Sequence, residues 1–114
     1  MRGGIEWLVD GHGCVPAMLR DRAAVIGLLD RIVVAMDLHV VTTAVHVFPG
    51  PAGITALYLL SESHLTIHTF PEIGSATLNV YCCRPRVPAP WRALFGELLG
   101  ALDVTATEHP RGGA

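Results

Sequence analysis

Between residues 20 and 36 the apolar positions Ala24, Ile26, Leu28, Leu29, Ile32, Val33 and Met36 recur every three to four residues. That is the period of one buried face of an α-helix. Asp21 falls in the first turn, where the helix dipole favours a carboxylate. Upstream, Ile5–Val9 is short and apolar, and Asp10-Gly11-His12-Gly13 follows as a turn. Leu38–Phe48 is rich in Val and Thr, which favour strands. Pro49-Gly50-Pro51-Ala52-Gly53 is a strong turn signal. Ile54–Leu60 is almost continuously apolar, the pattern of a strand covered on both faces. Ser63–Phe70 and Ser75–Cys83 read as further strands, and the Pro-rich run 84–90 excludes regular structure. Trp91–Leu102 reads as a second helix with Leu94, Phe95, Leu98, Leu99 and Leu102 on one face. Asp103–Glu108 reads as a last strand, and His109–Ala114 as a disordered tail.

Short turns between the middle strands favour antiparallel pairing. Two helices on one face of an antiparallel sheet make a two-layer α+β domain. The second sheet face then stays apolar and needs a partner, so the expectation is two such sheets meeting in a homodimer. One domain of 114 residues accounts for the whole chain.

Composition sharpens this. Hydrophobic residues make up 51% and charged residues only 16%, against a usual charged fraction of about 25%. A small surface so poor in charge points to partial cover by a second copy. The net charge is -2, there is no Lys, and the Arg residues are scattered, so no nucleic-acid footprint is present. Asp30, Arg31, Asp37 and His39 interrupt the longest apolar run, which excludes a membrane-spanning helix. The N-terminus lacks the apolar core of a secretory signal, and a cytoplasmic location is expected. Cys14, Cys82 and Cys83 do not form a secreted disulfide pattern.

The densest polar run is Glu62-Ser63-His64-Leu65-Thr66-Ile67-His68-Thr69-Phe70-Pro71-Glu72. Taken by themselves, its histidines are ordinary strand residues or metal ligands completed by Cys82 or Cys83. Adjacent strand residues point to opposite faces, so both thiols cannot serve one zinc. A Ser-His-Asp hydrolase is disfavoured, because the Gly-x-Ser-x-Gly elbow is missing.

This run resembles the signature of the prokaryotic S-adenosylmethionine decarboxylase proenzymes. The resemblance extends to Asp10-Gly11-His12-Gly13-Cys14, to His46-Val47-Phe48 with its following turn, and to Val80-Tyr81-Cys82-Cys83. It implies a self-processing enzyme cleaved between Glu62 and Ser63 into chains 1–62 and 63–114. Ser63 becomes a pyruvoyl group, the only cofactor, with no metal and no pyridoxal phosphate. That group would form a Schiff base with an amino-acid-type substrate and receive the electrons left by carbon dioxide. The product would feed spermidine synthesis in polyamine metabolism.

By the same resemblance, His68 assists processing as an acid or base and Cys83 protonates the decarboxylated carbon. Cys82 points the other way and packs. Thr55 stands where the family has a processing serine. Phe48 stacks on the adenine, Glu72 contacts the ribose, and Phe70 belongs to the substrate site. Ser63 and His68 lie five residues apart, about 16 Å along a straight strand and on opposite faces. The expectation is a site shared across a homodimer: Ser63 and Cys83 from one subunit, Thr55, His68, Glu72 and Phe48 from the other.

Four further positions depart from the family pattern: His12 for Tyr, Phe70 for Trp, Asn79 for Asp and Arg84 for Gly. Asn79 and Arg84 alter charge near the site, and L-arginine or L-ornithine is the alternative substrate. An unprocessed, non-enzymatic or metal-binding module is the alternative from another class.

Overall fold

A computed structural model of the chain describes residues 3–112. The elements are β1 (Gly4–His12), α1 (Pro16–Leu19), α2 (Arg22–Met36), β2 (Val40–Val47), β3 (Ile54–Leu60), β4 (His64–Phe70), β5 (Ser75–Cys82), α3 (Trp91–Leu99) and β6 (Asp103–Arg111), with a 3-10 turn at Pro71–Ile73. The strands form one six-stranded sheet in the order β2-β3-β4-β5-β1-β6. Every neighbouring pair is antiparallel. The helices cover one face, giving the two-layer α+β fold that the pattern predicts.

Helix α2 starts at Asp21, whose carboxylate accepts a hydrogen bond from Ala23 N at 3.0 Å. Asp21 is therefore the N-cap rather than a first-turn residue, satisfying an otherwise unpaired backbone donor. The turn before it is the short helix α1, begun by Pro16, which the sequence pattern does not reveal. Asp37, with φ of 54°, closes α2 in the left-handed region. Val25, Leu28, Leu29, Ile32 and Met36 form its buried face. They pack with Trp7, Val9, Ile54, Ala56, Leu65, Ile67, Leu78, Val80 and Phe95 in a single core. Tyr58 joins β3 to α2 through a 2.7 Å hydrogen bond from its hydroxyl to Asp30. Burial and this carboxylate push the phenol pKa far up.

One buried polar residue ties three elements together. Thr69 Oγ1 donates to Leu19 O at 2.8 Å and accepts from Ile54 N at 2.8 Å. Gly53 lies against the same residue: a Cβ there would sit 2.0 Å from Thr69 O. This close approach sets where β3 begins, and with it the position of Thr55.

Several boundaries differ from the expectations. Strand β1 runs through Asp10-Gly11-His12, which is not a turn; Gly11 is small because a Cβ would meet the Phe95 ring at 2.7 Å. Helix α3 ends at Leu99, because Gly100 turns left-handed at φ of 67°, and Leu102 is exposed rather than buried. Strand β6 continues to Arg111, so His109–Arg111 is strand and not a disordered tail; residues 113–114 lie outside the described residues. Strand β3 is covered within the chain on one face only, since Leu57 and Leu59 are 43% and 47% exposed.

Candidate active site

Strands β3 and β4 form a tight hairpin. Their last registered pair is Leu59 with His64, and Leu60 N then donates to Ser63 O at 3.0 Å. Ser61 and Glu62 make the tip, and Ser61 N donates to His39 O at 2.9 Å. The Glu62–Ser63 bond therefore lies in the tip, with Ser63 half-buried.

Continuing the β4–β5 register past His64 and Tyr81 sets Glu62 opposite Cys83. The Cys83 thiol donates a hydrogen bond to the Glu62 carbonyl oxygen. Beside it, the Arg84 guanidinium pairs with the Glu62 carboxylate at 3.5 Å. His39, Glu62, Ser63, Cys83, Arg84 and Arg86 line a small cleft here, with a cavity volume of about 10 Å³. That is room for roughly one water. Of the three free thiols, Cys14 and Cys82 are buried and Cys83 is half-buried. Burial raises the pKa of the Cys14 and Cys82 thiols. Cys83 is thus the most accessible of the three thiols, and Cys82 packs in the core.

His68 lies elsewhere, on the uncovered sheet face. Its Nδ1 shares a 2.9 Å hydrogen bond with Thr55 Oγ1. Cross-strand register places His46, Thr55, His68, Thr77 and Asp10 in one row across this face. The Phe48 ring stands edge-on to His46 with centroids 4.4 Å apart. Phe48 is 44% exposed and Phe70 37%. Glu72 is exposed in the 3-10 turn that follows β4. The chain therefore presents two groups: Ser63 with Cys83 at the hairpin tip, and Thr55, His68 and Phe48 on the open face. His68 does not meet Ser63 within the chain.

A third group follows Ser63 directly, and sequence reasoning misses it. Asn79 donates to one Glu6 oxygen and Arg111 to the other. The carboxylate only accepts, which turns the Asn79 carbonyl toward His64, and His64 Nε2–H donates to it at 2.9 Å. The Asn79 hydrogen bond and the Arg111 guanidinium hold the Glu6 pKa below its ordinary value. His64 stacks on Tyr81 at 5.8 Å, and Arg111 lies over the other partner of that stack at 5.8 Å. Asn79 and His64 stand out in the linear sequence, but only the strand register joins them to Glu6, Tyr81 and Arg111. Among the described residues, no three or more His, Cys, Asp or Glu side chains are grouped to hold a metal ion. Among the described residues, no helix is long and apolar enough to cross a membrane.

The model of the S-adenosylmethionine decarboxylase family matches residues 5–112. The chain is 38% identical over 111 residues to the S-adenosylmethionine decarboxylase proenzyme of Clostridium tetani, covering 96% of this chain and 86% of that protein. It is 37% identical to the proenzyme of the same name from Caldicellulosiruptor saccharolyticus, covering 96% and 88%. The fold is similar to the crystal structure of the adenosylmethionine decarboxylase from Aquifex aeolicus, with a TM-score of 0.81 and 26% identity over 99% of this chain and 93% of that one.

Proposed function

The chain belongs to the S-adenosylmethionine decarboxylase family, and from that premise we propose that it is a self-cleaving, pyruvoyl-dependent enzyme that decarboxylates S-adenosylmethionine. The observation that carries this reading is the Cys83 thiol on the Glu62 carbonyl oxygen, one atom from the carbon that Ser63 must attack.

Self-cleavage runs through an ester between residues 62 and 63. Ser63 Oγ adds to the Glu62 carbonyl carbon while the Cys83 thiol donates to the carbonyl oxygen. The C–N bond breaks, the Oγ proton passes to nitrogen, and an ester links residues 62 and 63. Loss of the Ser63 α-proton then expels the Glu62 carboxylate and leaves dehydroalanine. Its imine tautomer takes up water and releases ammonia, leaving a ketone at residue 63. The products are chains 1–62 and 63–114. Strand β1 lies between β5 and β6, and β3 pairs with β4, so the two products interleave in one sheet and remain one domain.

The residues around position 63 fit a pyruvoyl group, which needs a reachable hairpin tip and a nearby proton donor. Once formed, it supplies an electrophile for the substrate α-amine and a sink for the electron pair left by carbon dioxide. Cys83 Sγ holds the proton that replaces carbon dioxide on the substrate α-carbon. Phe48 and Phe70 offer apolar ring surface to the adenine, and Glu72 a carboxylate to the ribose hydroxyls.

A second copy of the chain completes the site. Leu8, Leu57 and Leu59 are exposed on the open sheet face beside Thr55 and His68. Sheets that pack face to face lie about 10 Å apart, close enough for side chains to interdigitate. In such a homodimer Ser63 and Cys83 come from one subunit, and Thr55, His68, Glu72, Phe48 and Phe70 from the other. His68, steadied by Thr55, then moves the proton during cleavage of the partner's hairpin. The half-exposed thiol of Cys83 suits a reducing cytoplasm. The decarboxylated product would serve as aminopropyl donor in spermidine synthesis.

The test is carbon dioxide release by the purified protein from carboxyl-labelled S-adenosylmethionine, L-arginine and L-ornithine. Release from S-adenosylmethionine is expected. Release from either of the others alone would overturn the substrate assignment.

A further inference from the structure

Main-chain hydrogen bonds fix the hairpin tip on both sides of Glu62. Ser61 N is held by His39 O at 2.9 Å, and Ser63 O by Leu60 N at 3.0 Å. Glu62 itself is gripped by two consecutive residues that follow β5. Cys83 reaches its carbonyl oxygen, and Arg84 reaches its carboxylate at 3.5 Å. The segment bearing Arg84 is anchored at its far end. Arg86 Nη1 donates to Met36 O at 3.3 Å and to Asp37 O at 3.0 Å, at the C-terminus of α2. Arg86 is thereby committed to the helix, and Arg84 is the cation facing Glu62.

Attack by Ser63 Oγ requires a particular tilt of the Glu62–Ser63 peptide plane, because the hydroxyl must approach the carbonyl carbon from outside that plane. Rotation of the plane also carries the carbonyl oxygen off the Cys83 thiol. We propose that Arg84 is a positioning residue for self-cleavage: its ion pair with Glu62 sets the tilt of the scissile peptide and keeps the Glu62 carbonyl under the Cys83 thiol. The inference rests on the cleavage reading above and assigns to that reaction a residue that does not touch the reacting atoms. The two side chains are 66% and 57% exposed. An ion pair so exposed contributes little to folding and is weakened by salt. Its signature is therefore a rate effect that responds to ionic strength without a change in stability.

The experiment follows self-cleavage of freshly synthesised chains over time by mass spectrometry, at low and high salt, with thermal unfolding measured alongside. Arg84→Ala and Glu62→Gln should each slow cleavage by about 5-fold. The double variant should be no slower than either single one, and Arg84→Lys should recover part of the rate. Raised salt should slow the unaltered protein toward the Arg84→Ala rate and leave that variant unchanged. The salt response needs no substitution, so a variant that folds poorly does not decide the matter. Equal cleavage of Arg84→Ala and the unaltered protein, or effects that multiply in the double variant, would overturn the inference alone. An unaltered protein that never cleaves would instead sink the cleavage reading itself.

Discussion

The thiol of Cys83 donates to the carbonyl oxygen of Glu62, joining the end of β5 to the tip of the β3–β4 hairpin. A carbonyl with a donor on its oxygen is primed for addition at its carbon. Removing that donor should therefore slow processing. Cys83→Ala is expected to slow self-cleavage on the order of 100-fold. Cys83→Ser keeps a hydroxyl donor and should cleave faster than the alanine variant. A time course of fragment appearance checks both.

His68 bonds Thr55 on the open face while Ser63 sits at the hairpin tip. If each Ser63 is served by the partner's His68, two inactive variants should complement. Ser63→Ala and His68→Ala chains each stay uncleaved alone. Co-expressed, the His68→Ala chain should be cleaved, because its Ser63 meets the intact His68 of a Ser63→Ala partner. A tag on one chain identifies the fragments. No cleavage on co-expression would place both residues in one subunit.

Much of the architecture was legible in the chain. The three-to-four spacing of apolar residues in α2, the Pro/Gly turn at 49–53 and the β-branched strands all have local physical causes, and the helices and middle strands follow them. The misreadings share a different origin. Gly11 and the Asp-Gly-His around it look like a turn, but that glycine is small to admit the Phe95 ring. Leu102 keeps the phase of α3, but Gly100 ends the helix first. Leu57 and Leu59 look like core residues, since sequence does not distinguish the face under helices from the open face. In the site, the Glu62–Cys83 contact and the Glu6–Asn79–His64 group depend on strand register, a non-local property.

The buried hydroxyl of Thr69 links α1, β3 and β4. Thr69→Val keeps the shape and removes both hydrogen bonds, leaving a buried carbonyl and an amide unpaired. We expect a loss of about 1–3 kcal/mol in unfolding free energy, measured by urea denaturation of the two proteins side by side.

Glu6 is held ionised by Asn79 and Arg111, with its pKa below the ordinary 4.5. A carboxylate whose folded-state pKa is depressed stabilises the fold above its unfolded pKa and loses that contribution as pH falls through the folded value. Glu6→Gln should therefore be less stable than the unaltered protein at neutral pH, by about 1 kcal/mol. The gap should narrow progressively below pH 4.5. Thermal melts across that range check the direction.

Self-cleavage at the Glu62–Ser63 bond is tested most directly by the intact mass of the purified, denatured protein. The expected spectrum has two fragments, 1–62 and 63–114, the second lighter by one ammonia than simple hydrolysis would leave it. Ser63→Ala should give one unbroken chain. An unaltered protein that also gives one unbroken chain, or a second fragment that begins with an ordinary Ser63 amine, would contradict it.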